Sequence, residues 1–562
     1  MVKRFLKIFN KEFGGLHEAA LLLALSMFLA QLLALARDRL LAGTFGAGTT
    51  LDIYYSAFRL PDLLYATIAS FVSVAVLIPF LVERLEKGEE GPARDFLSAV
   101  FTLFMLVMVG VGAVAWVLMP HLAPWLAPGF DLGAQAQMIA MARILLLSPI
   151  LLGLSNLLGS VTQVYRRFFV YSLSPIFYNL GIIIGILVLV PILGPIGLVL
   201  GVILGAGLHL AIQLPALIDI GFWPHWSPKQ LLANLRLIGK MVVTSWPRTL
   251  TLSTSQLVIL IFVALASYLS KGSIAIFNFA YNLQSVPLSI VGISYSVAAF
   301  PTLSKYFARG HLDKFIEQIT SATRHIIFWS MPATIMFIVL RAQIIRVILG
   351  TGRFDWPATR LTAACLALFA VSVLAQSLIL LFIRGYYASG QTAKPLLTNL
   401  FSSLLMIVSV FVFNTWWQTG SAFRLFWESI LRVQDLPNTA VLVLPLAYSL
   451  GTIVNCLLLG FFFVGEHRFS VKPILRTFNQ TFWSALAGGV VAYLLLNILS
   501  SFLSLRTLTG IFTQGLLAGL GGLAVNLLLL WFLGSQELKD LARAIRHKFW
   551  QGETLIPEQS EL

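Results

Sequence analysis

Charge is scarce in this sequence. Of 562 residues only 11% are Asp, Glu, Lys or Arg, against roughly 25% in an average soluble domain, and 58% are hydrophobic. So little polar surface cannot cover a soluble globule, and an integral membrane protein is the class that remains. Cysteine is nearly absent too: Cys365 and Cys456 each lie inside an apolar run, which excludes a disulfide framework, and no histidine stands at ligand spacing, so no metal site is expected. No GxxxxGK[ST], HExxH or GxSxG motif and no plausible Ser/His/Asp set occurs, so neither an enzyme nor a cofactor is expected. The opening MVKRFLKIFNKEF lacks the long apolar run and Ala-x-Ala site of a removed signal peptide, and residues 1–16 read as an interfacial amphipathic helix.

What is there is apolar runs, each long enough to cross a bilayer as a helix. They predict an all-α polytopic membrane protein with about fourteen spans, near 17–42, 51–82, 96–119, 136–162, 168–191, 194–218, 241–269, 273–303, 324–340, 358–383, 395–414, 438–465, 480–503 and 508–534. The net charge of +15 then becomes a topology signal rather than a mark of nucleic-acid binding. With a cytoplasmic N-terminus, the inner segments hold 25 basic residues and the outer ones 8, which places both termini, including the 536–562 tail, in the cytoplasm.

The chain repeats itself. A shift of 222 residues lays SVAVLIPFLVERLEKG on YSVAAFPTLSKYFARG, matching Pro79 with Pro301 and Gly88 with Gly310; a shift of 220 lays SPIFYNL on KPLLTNL, matching Pro175 with Pro395 and Asn179 with Asn399. Two six-span lobes follow, 17–220 and 241–465, joined by an amphipathic cytoplasmic connector at 221–240 and trailed by two extra spans at 480–535. Six is even, so the lobes are parallel repeats about an axis along the membrane normal, with a cleft between them.

Polar residues fall in stripes on the first two spans of each lobe. Ala30, Gln31, Ala34, Arg37 and Asp38 are spaced by helical steps on the first; Asp52, Ser56, Arg59, Asp62, Ala66, Ser70 and Ser73 on the second. Thr244, Arg248, Thr251 and Ser255 mark the seventh, and Asn278, Asn282, Ser285, Ser289, Gly292 and Ser296 the eighth. A charge at membrane depth costs several kcal/mol unless it meets water or a partner, so these stripes are expected to line a hydrated cavity. Helix packing by small polar residues and snorkelling of the end charges are the plainer readings of the same stripes.

At ARDRLLAGTFGAGTTLDIYYSAFRLPDLL the chain resembles the MurJ/MviN family of lipid II flippases, in the multidrug/oligosaccharidyl-lipid/polysaccharide exporter superfamily. APGF at 127–130, RRFFVYSLSPIFYN at 166–179 and RGYYASGQTAKP at 384–395 agree with it. The resemblance implies a two-lobed inner-membrane transporter of peptidoglycan biosynthesis that carries an undecaprenyl-diphosphate-linked precursor from inner to outer leaflet by alternating access. It marks Arg37, Asp38 and Asp52 as cavity residues; where the family carries further charges this chain has Gln31, Tyr65, Ser70 and Asn282. A diphosphate-sugar head group needs cations and hydrogen-bond donors. Arg37, Arg59 and Arg248 are therefore expected on phosphate, Gln31, Asn278, Asn282 and Gln284 on sugar or peptide, and Asp38 and Asp52 as orienters of the arginines. The implied partners are that lipid-linked precursor, membrane lipids and cell-wall synthesis proteins, with no nucleic acid. Two alternatives stay open: a flippase of another polyprenyl-linked glycan or a drug exporter of the same superfamily, and a non-transporting cell-wall scaffold docking through WWQTGSAFRLFWESILRVQDL at 416–436.

Overall fold

The computed structural model describes residues 16–550 apart from 70–73, 166, 421 and 468–469; the expected interfacial helix at 1–16 lies essentially outside them. The described residues are helical, with no strand. Twelve of the helices are long and apolar enough to cross a membrane, from Glu90–Leu126 to Leu508–Phe532, and they match the third to fourteenth expected spans one for one. The other two expected spans, 17–42 and 51–82, run over residues whose side chains or backbone lie outside the described set, so the count of fourteen is not established.

The second segment is broken rather than continuous, and its sequence says why. Pro61 has no N–H to donate to the carbonyl of Ala57, four residues back, and its ring crowds that carbonyl. Helix Thr49–Ala57 stops at that residue, and a new helix, Arg59–Leu64, starts with Pro61 in its first turn, where the missing donor is harmless. A π turn follows at Tyr65–Ala69. A second π turn, Leu288–Ile293, follows Pro287, and a third, Gly185–Leu189, precedes Pro191.

The chain forms two compact units. The first comprises the described residues up to Phe279 with Ile348–Leu361 and Asn399–Leu444; the second comprises Ala280–Val347, Thr362–Thr398 and the described residues from Pro445 onward. In the first, helix Phe168–Ile184 and the π turn that continues it touch helix Ile196–Ala211 backbone to backbone: a Cβ on Gly181 would lie 2.3 Å from the Cα of Gly205, and one on Gly185 would lie 2.5 Å from that of Gly201. Small residues allow such approach where lipid supplies no hydrophobic drive between helices. Phe96, Leu97, Val100, Leu157 and Leu77 form a core beside this seam. In the second unit Gly488 meets Gly522 in the same way, between helices Lys472–Leu499 and Leu508–Phe532, and Phe315, Ile319, Tyr386 and Phe463 form the core. Large apolar side chains stay exposed along the spans, such as Val114, Trp116 and Val117 on Glu90–Leu126, as lipid-facing surfaces require.

The GTFGAG motif makes a tight joint at one end of the first unit. Gly46 has φ +67°, and a Cβ there would lie 2.6 Å from the carbonyl oxygen of Arg353; Gly272 has φ +90°, and a Cβ there would lie 2.2 Å from that of Ala47. Only glycine fits either place. The Arg353 N–H donates to the Gly43 carbonyl at 2.9 Å, and in APGF the Gly129 N–H donates to the Ser267 hydroxyl at 2.9 Å.

Candidate functional site

Arg37 is the centre of the polar group in the first unit. It sits on the largely apolar helix Leu16–Phe45, so its charge is met by the one acid beside it and by a partner on another helix. Nε and one Nη donate to the same oxygen of Asp38, at 3.0 and 2.8 Å, and the other Nη donates to the side-chain oxygen of Asn179, at 3.1 Å, on helix Phe168–Ile184. Asn179 in turn donates to the carbonyls of Pro175 and Ala30. Asp38 is buried, whereas the Arg37 side chain remains 20% exposed. Three of its five N–H donors are engaged; two remain for a ligand. A guanidinium fixed by a buried carboxylate and an amide, with donors to spare, is suited to gripping a phosphate or carboxylate without first paying the entropy of its own ordering.

Arg59 is held differently. It is buried, with Nε donating to the Tyr55 carbonyl at 2.9 Å and Nη2 to the side-chain oxygen of Asn278 at 3.0 Å. The structure thus brings together two of the expected ligands, one from the second span and one from the eighth. Asn278 itself donates to the Ile274 carbonyl. The next residue, Phe279, packs its ring edge-on against that of Tyr55, with centroids 6.0 Å apart, so the same two spans also meet through aromatic contact.

Asp52 holds main chain rather than a guanidinium. Its carboxylate accepts from the backbone N–H groups of Gly272 at 2.5 Å and Ala275 at 2.9 Å, at the start of helix Ser273–Pro287. The first amides of that helix lack intrahelical partners, and the two side-chain oxygens of Asp52 satisfy them. Gln31 lies half-buried on the helix of Arg37. Arg248 lies on helix Leu235–Ala266, with its side chain outside the described residues, as are Ser70 and Ser73.

Asn282 and Gln284 belong to the second unit. Gln284 is buried and accepts from Gln376 at 2.7 Å; Gln376 also donates to Ser372 and accepts from the Tyr448 hydroxyl. Asn179 and Gln376 were not among the residues expected from the polar stripes. Asn179 was signalled all the same, by its match to Asn399 in the repeat; nothing in the sequence singled out Gln376.

A family model described as lipid II flippase MurJ matches residues 41–512. The chain belongs to the MurJ lipid II flippase family. Among MurJ relatives, "Probable lipid II flippase MurJ" of Vibrio cholerae is 26% identical over 94% of this chain and 98% of its own, and "Lipid II flippase MurJ" of Burkholderia cenocepacia is 26% identical over 68% and 75%. Among solved structures, a MurJ described as an inward closed conformation aligns with TM-score 0.70 at 21% identity, covering 93% of this chain and 100% of that one. A multidrug resistance MATE transporter of the MOP superfamily aligns with TM-score 0.61 at 13% identity, over 81% and 98%. These two likenesses concern the fold.

Proposed function

We propose that this chain is a lipid II flippase of the bacterial inner membrane, moving the undecaprenyl-diphosphate-linked peptidoglycan precursor from inner to outer leaflet by alternating access. The observation that carries this reading is the match to the MurJ family through residues 41–512. In this reading Arg37 donates its two remaining N–H groups to diphosphate oxygens, Asp38 and Asn179 keep the guanidinium in place, and Arg59 with Asn278 presents further polar groups to the head group. The isoprenoid tail stays in lipid. Such transport makes and breaks no covalent bond, and no catalytic residue is assigned. Arg248, Gln31, Asn282 and Gln284 keep their proposed roles on phosphate, sugar or peptide.

The lobes are proposed at 17–220 and 241–465 with both termini cytoplasmic, supported by the repeat and the basic-residue bias. Single cysteines at Gln135 and Gln230 test this: an impermeant thiol reagent should label the first from outside intact cells and not the second. Equal or reversed labelling breaks the topology. The functional test is complementation of a strain depleted of its own lipid II flippase. Growth and lipid II exposure on the outer leaflet are expected; failure by a protein shown to reach the membrane folded overturns the assignment.

A further inference from the structure

The second unit holds a cationic cleft that the flippase reading leaves unused. It has a volume of about 530 Å³ and lies where the first turns of Lys472–Leu499 and of the terminal helix Gln536–Trp550 meet helix Leu312–Val339. That volume is in the range of small-ligand sites, roughly 300–1,000 Å³. Arg324, Lys472, Arg476 and Lys539 line it, with Thr477 and Gln480.

Its wall is built, not incidental. Glu537 is buried and receives Arg324 at 2.7 Å, Thr477 at 2.7 Å and Ser535 at 2.7 Å, and Thr477 and Ser535 are buried with it. Burial pushes the Glu537 carboxyl up, but the hydrogen bonds from Thr477 and Ser535 and the Arg324 charge bring it below its usual value, so it stays ionised. One carboxylate against four cations leaves the cleft with three positive charges in excess. Among the described residues no carboxylate pairs with Lys472, Arg476 or Lys539. Like charges crowded in this way repel one another unless an anion sits among them.

The surroundings select the anion. Leu475 and Phe478 are exposed on the first turns of Lys472–Leu499, and Trp531 and Phe532 at the end of Leu508–Phe532, the helix that leads into Gln536–Trp550; such apolar and aromatic side chains are of the kind that marks the membrane–water boundary. A basic pocket between spans at that level meets a lipid headgroup before it meets a solute. We propose that this cleft binds the phosphate of an anionic phospholipid, with Lys472, Arg476 and Lys539 on its oxygens and the acyl chains against the exposed apolar residues. The lipid would tie the first turn of Gln536–Trp550 to the ends of the two spans.

The test uses the purified full chain in neutral detergent, stripped of lipid, and reads bound lipid by native mass spectrometry, so it does not depend on transport of lipid II. Phosphatidylglycerol should bind more tightly than phosphatidylcholine. The K472Q/R476Q/K539Q variant should lose that preference, weakening phosphatidylglycerol binding on the order of a hundredfold, since each cation near an anionic surface contributes about a factor of five. The K472R/K539R variant should keep it, and so should K305Q/R309Q/K314Q, which removes as much charge from another basic segment. Equal binding of the two lipids by the native chain overturns the proposal, as does an equal loss in both triple variants. If inorganic phosphate in excess displaces phosphatidylglycerol completely and binds as well alone, the site serves a soluble anion and the lipid assignment fails.

Discussion

Asn179 and Asn399 occupy matching places in the two halves of the sequence and do the same thing to the backbone. Asn179 donates to the carbonyl of Ala30 at 3.5 Å, and Asn399 donates to that of Thr251 at 3.3 Å. The asparagines are 220 residues apart and the carbonyls 221, so the same helix-to-helix clasp is made twice. The π turns at Tyr65–Ala69 and Leu288–Ile293 repeat at nearly the same interval. What differs is the charge. Shifted by 221, Arg37 and Asp38 fall on Val258 and Ile259, both buried and apolar; shifted by 222, Arg59 and Asp62 fall on Tyr281 and Gln284. The scaffold is duplicated and these charges are not, so the main grip on the diphosphate of the head group is expected in the first half, with Arg248 as the addition of the second.

The largest break in this comparison should come from Arg37→Ala: transport is expected to stop while folded protein remains in the membrane, read by complementation beside immunodetection. Lys should restore it in part, since a point charge cannot reproduce the two-pronged grip. Full transport by the Ala variant would remove Arg37 from the binding site. Val258→Arg should come next. It places a guanidinium at the matching point of the second half without a carboxylate beside it, and about 2.5–3.5 kcal/mol of stability should be lost, visible as a lower melting temperature in detergent. An unchanged melting temperature would mean that the second half also offers a charge a polar home. The smallest effect sharpens the contrast: Asn179→Ala should lower transport by roughly tenfold, because a charge-assisted bond to Arg37 is worth about 1.5–3 kcal/mol, whereas Asn399→Ala should cost only the clasp, about 1 kcal/mol of stability, with transport kept. Equal losses from the two would deny the asymmetry.

Much of this was legible in the sequence. Twelve helices stand where apolar runs placed them, because a span is specified by length and composition alone. The pairing of Arg37 with Asp38 was legible as well, being local. Less so was the course of the second span: the stripe from Asp52 to Ser73 presumed one straight helix, and Pro61 divides it. Long-range partners were illegible for a plainer reason. An asparagine 142 residues away or a backbone amide 220 residues away leaves no periodicity to read, so Asp52 was expected on an arginine and is found on Gly272 and Ala275. Within the 416–436 segment of the scaffold alternative a helix lies at Ala422–Leu431, with Leu425, Phe426 and Ile430 exposed and Glu428 turned inward to Arg424 and Thr439.

The Asp52 contact also bears on how such a chain can drift. A carboxylate that grips peptide amides reads the path of the opposite segment and ignores its side chains. Ile274 and Ala275 are thereby free to exchange for other residues as far as this contact goes, whereas loss of a single oxygen from Asp52 is felt at once. Gly272 is the exception, held by its backbone angle and by the Ala47 carbonyl. Heritable constraint from this contact is therefore lopsided: the acid and Gly272 carry it, and Ile274 and Ala275 answer only to their own burial in the core.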